Sequence, residues 1–283
     1  MRFGVVTGFG PRAEAAAVRS LLETVEGSGY DSVWLTEHLV VPEHYDSPYP
    51  YAVSGDMPIG VGADLPEPLT WLAFAAACTR DLLLGTSCVI LPERSPLHLA
   101  KQAATLDLLA GGRLRLGVGL GWCREEAEAV GTTWEDRAPR AEAAIEALRL
   151  LWTGEPVSHH GPGVDFAPVV CRPTPAGPGG IPIVVCGPSR RAAARAGRIG
   201  DGYFTNHRDP QVVQGLVDAV HAAAEQAGRD PAAIEITVGA SPAPRTVERL
   251  EAMGVHRMIW PVPTRDPARV ERQLTRAARA VMG

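Results

Sequence analysis

The feature that most constrains the fold is a regular alternation of short, β-branched apolar runs with longer segments of helical periodicity. Some runs, such as Ile-Pro-Ile-Val-Val at 181–185, are almost continuously apolar, as in parallel sheets whose outer face is covered. Eight runs are predicted as strands, at residues 2–7, 31–36, 82–90, 113–118, 181–186, 202–205, 234–239 and 257–261. Eight strands, each followed by a helix, predict an α/β fold, a closed (β/α)8 TIM barrel. An open doubly wound sheet is the alternative.

The segments between these runs carry apolar residues at helical spacing. In the first, Val18, Leu21, Leu22 and Val25 share one helical face. Further helices are predicted at 67–79, 96–110, 189–199 and 242–253, and apolar faces recur within 141–152, 213–224 and 270–281. Several helices are expected to begin with proline in the first turn, where its missing N–H costs nothing, at Pro96, Pro210, Pro242 and Pro267.

Composition excludes several classes of protein. The 27 basic and 32 acidic residues leave a net charge of −5, without the basic runs that nucleic-acid binding requires. No apolar stretch is long enough to span a membrane, and the N-terminus lacks the apolar core of a signal peptide. The five cysteines form no Cys-x-x-Cys pair, which indicates reduced thiols and a cytoplasmic location. The expected partner is therefore a small-molecule substrate, not nucleic acid or membrane.

Two connections are longer than ordinary loops between strands and helices. Residues 39–66 follow the second strand and include three tyrosines among many prolines and glycines. This segment would lie on the C-terminal rim of the barrel and is interpreted as a substrate lid, although composition alone also fits a surface loop. Residues 153–180 are expected to contain a hairpin at 159–172 and a rigid linker. The chain is thus predicted as one barrel domain, 1–283, with insertions at 39–66 and 153–180.

The residues that follow the strands exclude some barrel chemistries, because barrel enzymes act at the C-terminal ends of their strands. The first strand ends in Thr7-Gly8-Phe9, without the His-x-His pair of a metallohydrolase. The only lysine, Lys101, falls within a helix, away from the strand ends where a Schiff-base lysine is needed. Glu37 is the one carboxylate at an obvious strand end, whereas glycoside hydrolysis needs two. No metal site is predicted.

Backbone-rich segments on the same rim favour a phosphorylated cofactor such as a flavin. The run from Gly117 to Gly121 lets main chain approach a ligand closely, because glycine has no Cβ. Gly187-Pro188-Ser189 opens a helix whose free N–H groups suit a phosphate, with Arg190 alongside. Tight turns use glycine without any ligand, so this alternative remains open. Trp122 and Trp260 are placed on the rim, where they could stack on a ring, and Trp34, Trp71, Trp134 and Trp152 in the core.

His38 is the strongest single candidate for catalysis. It follows the second strand, and a histidine side chain exchanges protons near neutral pH. A hydrogen-bonded loop histidine is the alternative interpretation. The same argument applies more weakly to His207, whereas His159 and His160 are expected to be exposed.

Several stretches resemble the luciferase-like monooxygenase family, in particular its branch that uses the deazaflavin coenzyme F420. The stretches are Gly-Tyr-Asp-Ser-Val-Trp-Leu-Thr-Glu-His-Leu (29–39), Leu-Gly-Thr-Ser-Cys-Val-Ile-Leu-Pro (84–92), Pro-Leu-His-Leu-Ala-Lys-Gln-Ala-Ala-Thr-Leu-Asp (96–107), Gly-Gly-Arg-Leu-Arg-Leu-Gly-Val-Gly-Leu-Gly-Trp (111–122), Ile-Pro-Ile-Val-Val-Cys-Gly-Pro-Ser (181–189) and Gly-Asp-Gly-Tyr (200–203). They follow one another in order over nearly the whole chain.

The resemblance implies a barrel, usually a homodimer, with the cofactor lying across the C-terminal rim. It implies a non-proline cis peptide at Ser87–Cys88, which in the family supports the central ring of the cofactor. Glu37 and His38 match an acidic–His pair beside the ring, with His38 as the proton donor. The predicted cofactor-binding residues are Glu37, Ser87, Cys88, Gly119, Gly121, Trp122, Gly187, Pro188, Ser189 and Arg190. Trp122 stands where the family's sugar-phosphate dehydrogenases carry a carboxylate, which argues against glucose 6-phosphate as substrate.

The functional hypothesis is an F420-dependent oxidoreductase that transfers a hydride between the deazaflavin and a C=C, C=N or C=O group of a small organic substrate. One alternative keeps the fold but uses reduced FMN and oxygen as a monooxygenase. A non-catalytic deazaflavin-binding protein is the alternative from another class. The identity of the substrate is expected to depend on the lid, 39–66.

Overall fold

Eight parallel strands form a closed barrel in the computed structural model, which describes residues 1–7, 14–52, 54–58, 60–262 and 266–282. The strands in these residues are β1 (Arg2–Val6), β2 (Ser32–Leu35), β3 (Leu83–Thr86), β4 (Val89–Ile90), β5 (Leu114–Gly119), β6 (Val157–Gly161), β7 (Val164–Val169), β8 (Ile183–Cys186), β9 (Gly202–Thr205), β10 (Glu235–Gly239) and β11 (Arg257–Pro261). The barrel order is β3-β2-β1-β11-β10-β9-β8-β5, and pairing of β3 with β5 closes it. The predicted closed barrel is confirmed.

Helices surround this barrel and bury their apolar faces against it. In the described residues they are α1 (Ala15–Gly27), α2 (Pro68–Cys78), α3 (Pro96–Leu109), α4 (Arg124–Ala129), α5 (Arg137–Leu151), α6 (Arg190–Ile199), α7 (Pro210–Gln226), α8 (Pro244–Ala252) and α9 (Pro267–Met282). The predicted start of α8 at Pro242 is wrong, because Pro244 occupies its first turn. The six-residue α4 was not predicted, since Arg-Glu-Glu-Ala-Glu-Ala has no apolar periodicity.

The predicted third strand, 82–90, is interrupted. β3 ends at Thr86, the Ser87–Cys88 peptide bond is cis as predicted, and the chain resumes as β4, which pairs with β5. Two glycines of β5 leave room for this irregular segment: a Cβ on Gly117 would collide with the Thr86 carbonyl oxygen, and one on Gly119 with Cys88 Sγ.

The barrel interior holds a small cluster of buried side chains, and a larger core fills the layer between barrel and helices. The interior cluster comprises Trp34, Val184, Cys186, Phe204 and Ile259. Trp34, Trp71 and Trp152 are buried as predicted, whereas Trp134 is only half-buried, with the Arg137 guanidinium 3.6 Å from its ring. The placement of Trp260 on the rim is wrong. Its ring is buried in the outer layer, 5.2 Å from the ring of Tyr30 and 6.1 Å from that of Phe3.

A buried charge network closes the barrel at the N-terminal ends of its strands. Arg257, at the start of β11, is fully buried and donates to the carboxylates of Asp31 and Glu235. Its guanidinium also lies 5.6 Å from the ring of Trp34. Chemistry is therefore expected at the opposite, C-terminal end, as in barrel enzymes generally.

The two insertions differ in structure. Between β2 and α2, the described residues of the lid form no helix or strand. The second insertion contains the antiparallel hairpin β6–β7, close to the predicted hairpin at 159–172. Within it, His159 is buried, contrary to expectation, because its ring stacks on Phe166 and bonds the Val164 carbonyl. None of the helices in the described parts of the chain is both apolar enough and long enough to cross a membrane.

Candidate functional site

Three hydroxyl groups at the C-terminal ends of neighbouring barrel strands have no hydrogen-bond partner among the described residues. Thr7 follows β1, Thr36 follows β2 and Ser87 follows β3, and the oxygen of each is inaccessible to solvent. A buried polar atom without a partner costs about 1–3 kcal/mol, so such atoms are usually satisfied by protein, water or ligand. Their grouping at one end of three adjacent strands fits a site for a ligand with polar edges. Gly8 and Phe9, which the sequence also placed at this rim, lie outside the described residues.

His38 forms a buried pair with Glu126. Its Nδ1 lies 2.6 Å from Glu126 Oε2, and the two side chains are 8% and 1% exposed. The second carboxylate oxygen, Oε1, accepts the Leu39 amide at 2.7 Å and the Val40 amide at 3.3 Å. One carboxylate therefore holds both the imidazole ring and the backbone that follows it. Because Nδ1–H donates to Glu126, Nε2 is the ring nitrogen left for proton exchange.

Glu37, the neighbour of His38, is bonded to a different set of groups. Its carboxylate accepts the Ile90 amide at 2.6 Å and the Arg94 Nε at 2.9 Å, and also contacts Arg94 Nη2. Arg94 in turn bonds Glu67 at 2.7 Å. Burial raises the pKa of Glu37, and Arg94 and the amide counteract this. These bonds join Glu37 to β4 and α2. Contact between Glu37 and a cofactor stays a prediction.

A third carboxyl group, Glu93, lies close to the same strand ends. A Cβ placed on Gly121 would be 3.3 Å from its Oε1, while its Oε2 is buried and unpartnered among the described residues. Burial, with the charges of Glu126 and Glu37, outweighs the opposing effect of Arg94 and raises the pKa of Glu93 to about 8. Glu93 is therefore a mostly neutral acid at pH 7, able to donate a hydrogen bond.

Two thiols and the glycines of β5 form the floor of the barrel mouth. Cys88 comes from the cis peptide, and Cys186 ends β8 on the other side of β5. Burial raises the pKa of the Cys186 thiol well above its ordinary value, and the adjacent Cys88 thiol raises it further. The Cys186 thiol therefore remains neutral at pH 7. Gly119 is needed by the protein itself to accommodate Cys88, whereas Gly121, at φ 77°, is needed for its backbone conformation.

The predicted phosphate loop is held in place by side chains from the next strand. Tyr203 donates to the Gly187 carbonyl at 2.7 Å, and His207 Nε2 lies 2.9 Å from the Pro188 carbonyl. Gly187 has φ 157°, and a Cβ there would lie 2.7 Å from the Ala192 Cβ. Ser189 caps α6 by accepting the Ala192 amide. His207 thus supports this loop through its side chain, and Arg190, at the first turn of α6, lies at its edge.

The lid is attached to α4, directly beside His38. Glu125 accepts the Asp46 amide at 2.8 Å and the Ser47 amide at 3.3 Å, and the Arg124 amide donates to the Ser47 hydroxyl at 3.0 Å. Burial acts to raise the pKa of Glu125, but the hydrogen bonds from Ser47 and Asp46 outweigh it and lower the pKa to about 2. Glu125 is consequently charged at neutral pH and anchors the lid to the helix that carries Glu126.

Aromatic rings from the lid meet Trp122 at this rim. The ring of Trp122 is 5.5 Å from that of Tyr45, 5.2 Å from that of Tyr49 and 5.9 Å from that of His38. Tyr49 is also 5.6 Å from Tyr51. These pairs are T-shaped, the arrangement that aromatic quadrupoles favour. The structure therefore places Trp122 next to His38, and its contact with a cofactor stays a prediction.

The closed barrel brings together the predicted residues from four strand ends: His38, Ser87–Cys88, Gly121–Trp122 and Gly187–Arg190. Sequence reasoning missed the partners Glu126, Arg94 and Glu93. A signal for Glu126 existed, since it lies four residues after Trp122, on the first turns that follow a barrel strand. A similar signal existed for Glu93 and Arg94, since both lie shortly after the cis peptide at the end of a barrel strand.

Comparison with known proteins gives the chain a consistent set of relatives. The family model described as luciferase-like monooxygenase matches residues 1–280. An F420-dependent glucose-6-phosphate dehydrogenase of Beutenbergia cavernae is 35% identical over 204 residues, which cover 70% of this chain and 55% of that protein. An FMNH2-dependent dimethylsulfone monooxygenase of Pseudomonas putida is 32% identical over 184 residues, covering 64% and 50%.

A solved structure supports the fold at low sequence identity. The coenzyme F420-dependent tetrahydromethanopterin reductase of Methanopyrus kandleri superposes with a TM-score of 0.79 at 16% identity, over 99% of this chain and 98% of that one. The relatives therefore include users of both F420 and FMN. In the described residues, no group of three or more His, Cys, Asp or Glu side chains is arranged to hold a metal ion.

Proposed function

Because the chain belongs to the luciferase-like monooxygenase family, we propose that it is an oxidoreductase that uses the deazaflavin coenzyme F420. It transfers a hydride between this coenzyme and a C=C, C=N or C=O group of a small organic substrate. The observation that carries the proposal is the buried His38–Glu126 pair at the rim, which provides one oriented proton-exchange group. Such a site suits chemistry that a cofactor performs itself. An F420-dependent relative supports the choice of coenzyme.

The residues at the rim fit a flavin-like group. Three unpartnered hydroxyls, Thr7, Thr36 and Ser87, offer donors or acceptors to the polar edges of a ring. The loop Gly187–Ser189 and the N-terminus of α6 would bind the phosphate, with Arg190 adding positive charge. Coenzyme F420, when bound, supplies the hydride or accepts it.

His38 handles the proton that accompanies the hydride. In the direction of reduction, the protonated imidazole gives up its Nε2 proton to the substrate, while Nδ1–H stays bonded to Glu126. The Glu126 carboxylate stabilises the positive charge of the ring before this transfer and fixes its orientation. Ser87, Cys88, Gly119, Gly121 and Trp122 would line the cofactor's ring, and Glu37 would position the strand end that carries His38.

Cofactor affinity tests the proposal. The purified protein is titrated separately with F420 and with FMN, and each dissociation constant is measured by fluorescence. We expect F420 to bind at least tenfold more tightly than FMN. Tight FMN binding without F420 binding would overturn the choice of coenzyme. His38→Ala is expected to bind F420 with unchanged affinity and to lose hydride transfer by about 10²-fold or more.

Reduced FMN with oxygen is the second candidate, and the FMNH2-dependent relative from Pseudomonas putida is the observation that favours it. The fold and the proton-exchange role of His38 would be the same. Oxygen consumption that depends on both FMNH2 and an organic substrate would support this candidate. The absence of such consumption, together with F420 binding, would exclude it.

The protein is further proposed to act as a homodimer through the outer face of α3. Leu97, Leu108 and Leu109 on this helix are 39%, 45% and 66% exposed, an apolar surface that a second copy could cover. Light scattering during size-exclusion chromatography is expected to give twice the mass of the chain. Leu109→Glu should shift the mass toward that of the monomer, and a monomeric wild-type protein would contradict the proposal.

A further inference from the structure

Four rings at the rim form a continuous aromatic surface, here called the aromatic wall: Tyr45, Tyr49, Tyr51 and Trp122. Three of them come from the lid and the fourth from the end of β5, more than seventy residues later in the chain. Adjacent rings along the wall are separated by 5.2–5.6 Å. The Tyr45 hydroxyl also accepts the Met57 amide at 3.1 Å, which ties this ring to the far side of the lid.

The wall begins beside the proton-exchange residue. At one end, Trp122 is 5.9 Å from the ring of His38. At the other end, the ring of Tyr51 lies 5.6 Å from that of Tyr49, and Tyr51 is 38% exposed. The wall therefore runs from His38 outward to solvent.

Three charged side chains of α4 beside the wall are already paired. Glu126 is bonded to His38, and Glu125 to two backbone amides of the lid. Arg124 pairs with Glu128 at 2.7 Å and with Glu135 at 3.2 Å. Neither the rings nor these three side chains offer an unpaired cation, so a carboxylate or phosphate placed against the wall would lose water without compensation from them, which is costly.

We propose that the substrate of this site is uncharged and contains a planar aromatic or conjugated ring, which lies against the aromatic wall with its reacting group at His38. The assignment of the reaction rests on the proposed function, but the binding preference does not. Flat apolar rings gain both buried area and favourable quadrupole contacts on such a surface. The carbonyl or double bond of a conjugated ring is also the kind of group that accepts a hydride.

Binding of three matched probes tests the preference. The probes are 2-acetylnaphthalene, which is neutral and planar; 2-naphthoate, which has the same rings with a charge; and 2-acetyldecalin, which is neutral and has the same two rings saturated and therefore not planar. Dissociation constants are measured by isothermal titration calorimetry on the full chain without cofactor, and again after saturation with F420. We expect 2-acetylnaphthalene to bind at least tenfold more tightly than either of the others in both conditions.

Substitutions in the aromatic wall test whether the probe binds there. Trp122→Leu and Tyr49→Leu are each expected to weaken 2-acetylnaphthalene binding about tenfold, equivalent to about 1.4 kcal/mol. Tyr49→Phe keeps the ring and loses only the hydroxyl, so its affinity should equal that of the wild type. Circular dichroism and thermal melting of each variant establish that it is folded, and Tyr51→Leu provides a second ring deletion should Trp122→Leu fail to fold.

Equal or tighter binding of 2-naphthoate would overturn the inference, as would wild-type affinity in both ring-deletion variants. These outcomes are separable from failure of the proposed function. If the naphthyl ketone binds as expected but neither F420 nor reduced FMN binds, the substrate class stands and the proposed chemistry fails. If F420 binds and the ketone does not, the proposed coenzyme stands and the proposed substrate class fails.

Discussion

The imidazole of His38 and the carboxylate of Glu126 meet at 2.6 Å although the two residues are 88 positions apart in the chain. The same carboxylate accepts the Leu39 amide through its other oxygen. This double attachment fixes the ring and leaves Nε2 as the nitrogen available for proton exchange. It is the contact on which the proposed proton transfer depends.

Glu126→Leu should change the tautomer of His38. In the wild type, Nδ1–H donates to the carboxylate, so the neutral ring carries its proton on Nδ1; without the carboxylate, the ring loses that preference. Nitrogen-15 chemical shifts of the imidazole measure the change directly and require no substrate. Glu126→Gln should lower hydride transfer by about 10²-fold while F420 affinity stays within twofold. Glu128→Gln, on the solvent side of α4, is the control, and an unchanged tautomer in Glu126→Leu would contradict the assignment.

Glu93→Gln should stabilise the protein, most of all in alkaline solution. The native state holds the Glu93 proton up to about pH 8, whereas an unfolded glutamate loses it near 4.5. The native state therefore binds more protons between these values, and stability falls as pH rises through this window. Gln removes that loss, and because the residue is only partly buried we expect a gain of about 2 kcal/mol at pH 9 and little at pH 4.

Urea unfolding across this pH range measures the Glu93 effect. Glu248→Gln, at an exposed position on α8, serves as the matched control and should leave the pH profile unchanged. If Glu93→Gln and the wild type keep the same difference in unfolding free energy at every pH, the carboxyl group is not held neutral by its surroundings.

Glu125→Gln should loosen the lid. The charged carboxylate accepts two lid amides, and charge-assisted hydrogen bonds of this kind are stronger than neutral ones. Because the pKa of Glu125 is lowered to about 2, the anchor is complete above pH 4.5 and is lost as the pH falls toward 2. Pepsin, which is active in this range, should cut the wild-type lid increasingly fast as pH falls. Pepsin should cut the Glu125→Gln lid fast over this whole pH range. It should cut the Glu128→Gln lid at the same rate as the wild-type lid.

Gly187→Ala should weaken cofactor binding. The left-handed backbone at φ 157° disfavours any side chain, and the added Cβ would lie 2.7 Å from that of Ala192 at the start of α6. The loop that would bind the phosphate must shift, and we expect at least a tenfold loss of F420 affinity in a fluorescence titration. Gly177→Ala is the matched control, since a Cβ there meets nothing within 4 Å. If the two variants bind F420 with equal affinity, the proposal that this loop binds the phosphate is wrong.

Local pattern was sufficient for the architecture. Strand and helix periods depend on which residues of one segment face the core, and that information lies within each segment. Eight repetitions of the pattern predicted the closed barrel, and ordering the strand ends placed His38, Ser87, Trp122 and Gly187 on one rim. The cis peptide at Ser87–Cys88 followed from the family resemblance and is present in the structure.

The sequence by itself thus determined the barrel, its rim and the candidate proton donor, because each follows from periodicity or from residues adjacent to a strand. Only the tertiary structure decided what surrounds them. Closure of the barrel brings α4 against the end of β2, so Glu126 meets His38. It also buries the ring of Trp260 in the outer core. The chain that packs over Gly117 and Gly119 leaves no room for a side chain at either position. Contacts between residues far apart in sequence leave no periodic signal in either segment, since each partner's position is set by how the strands close.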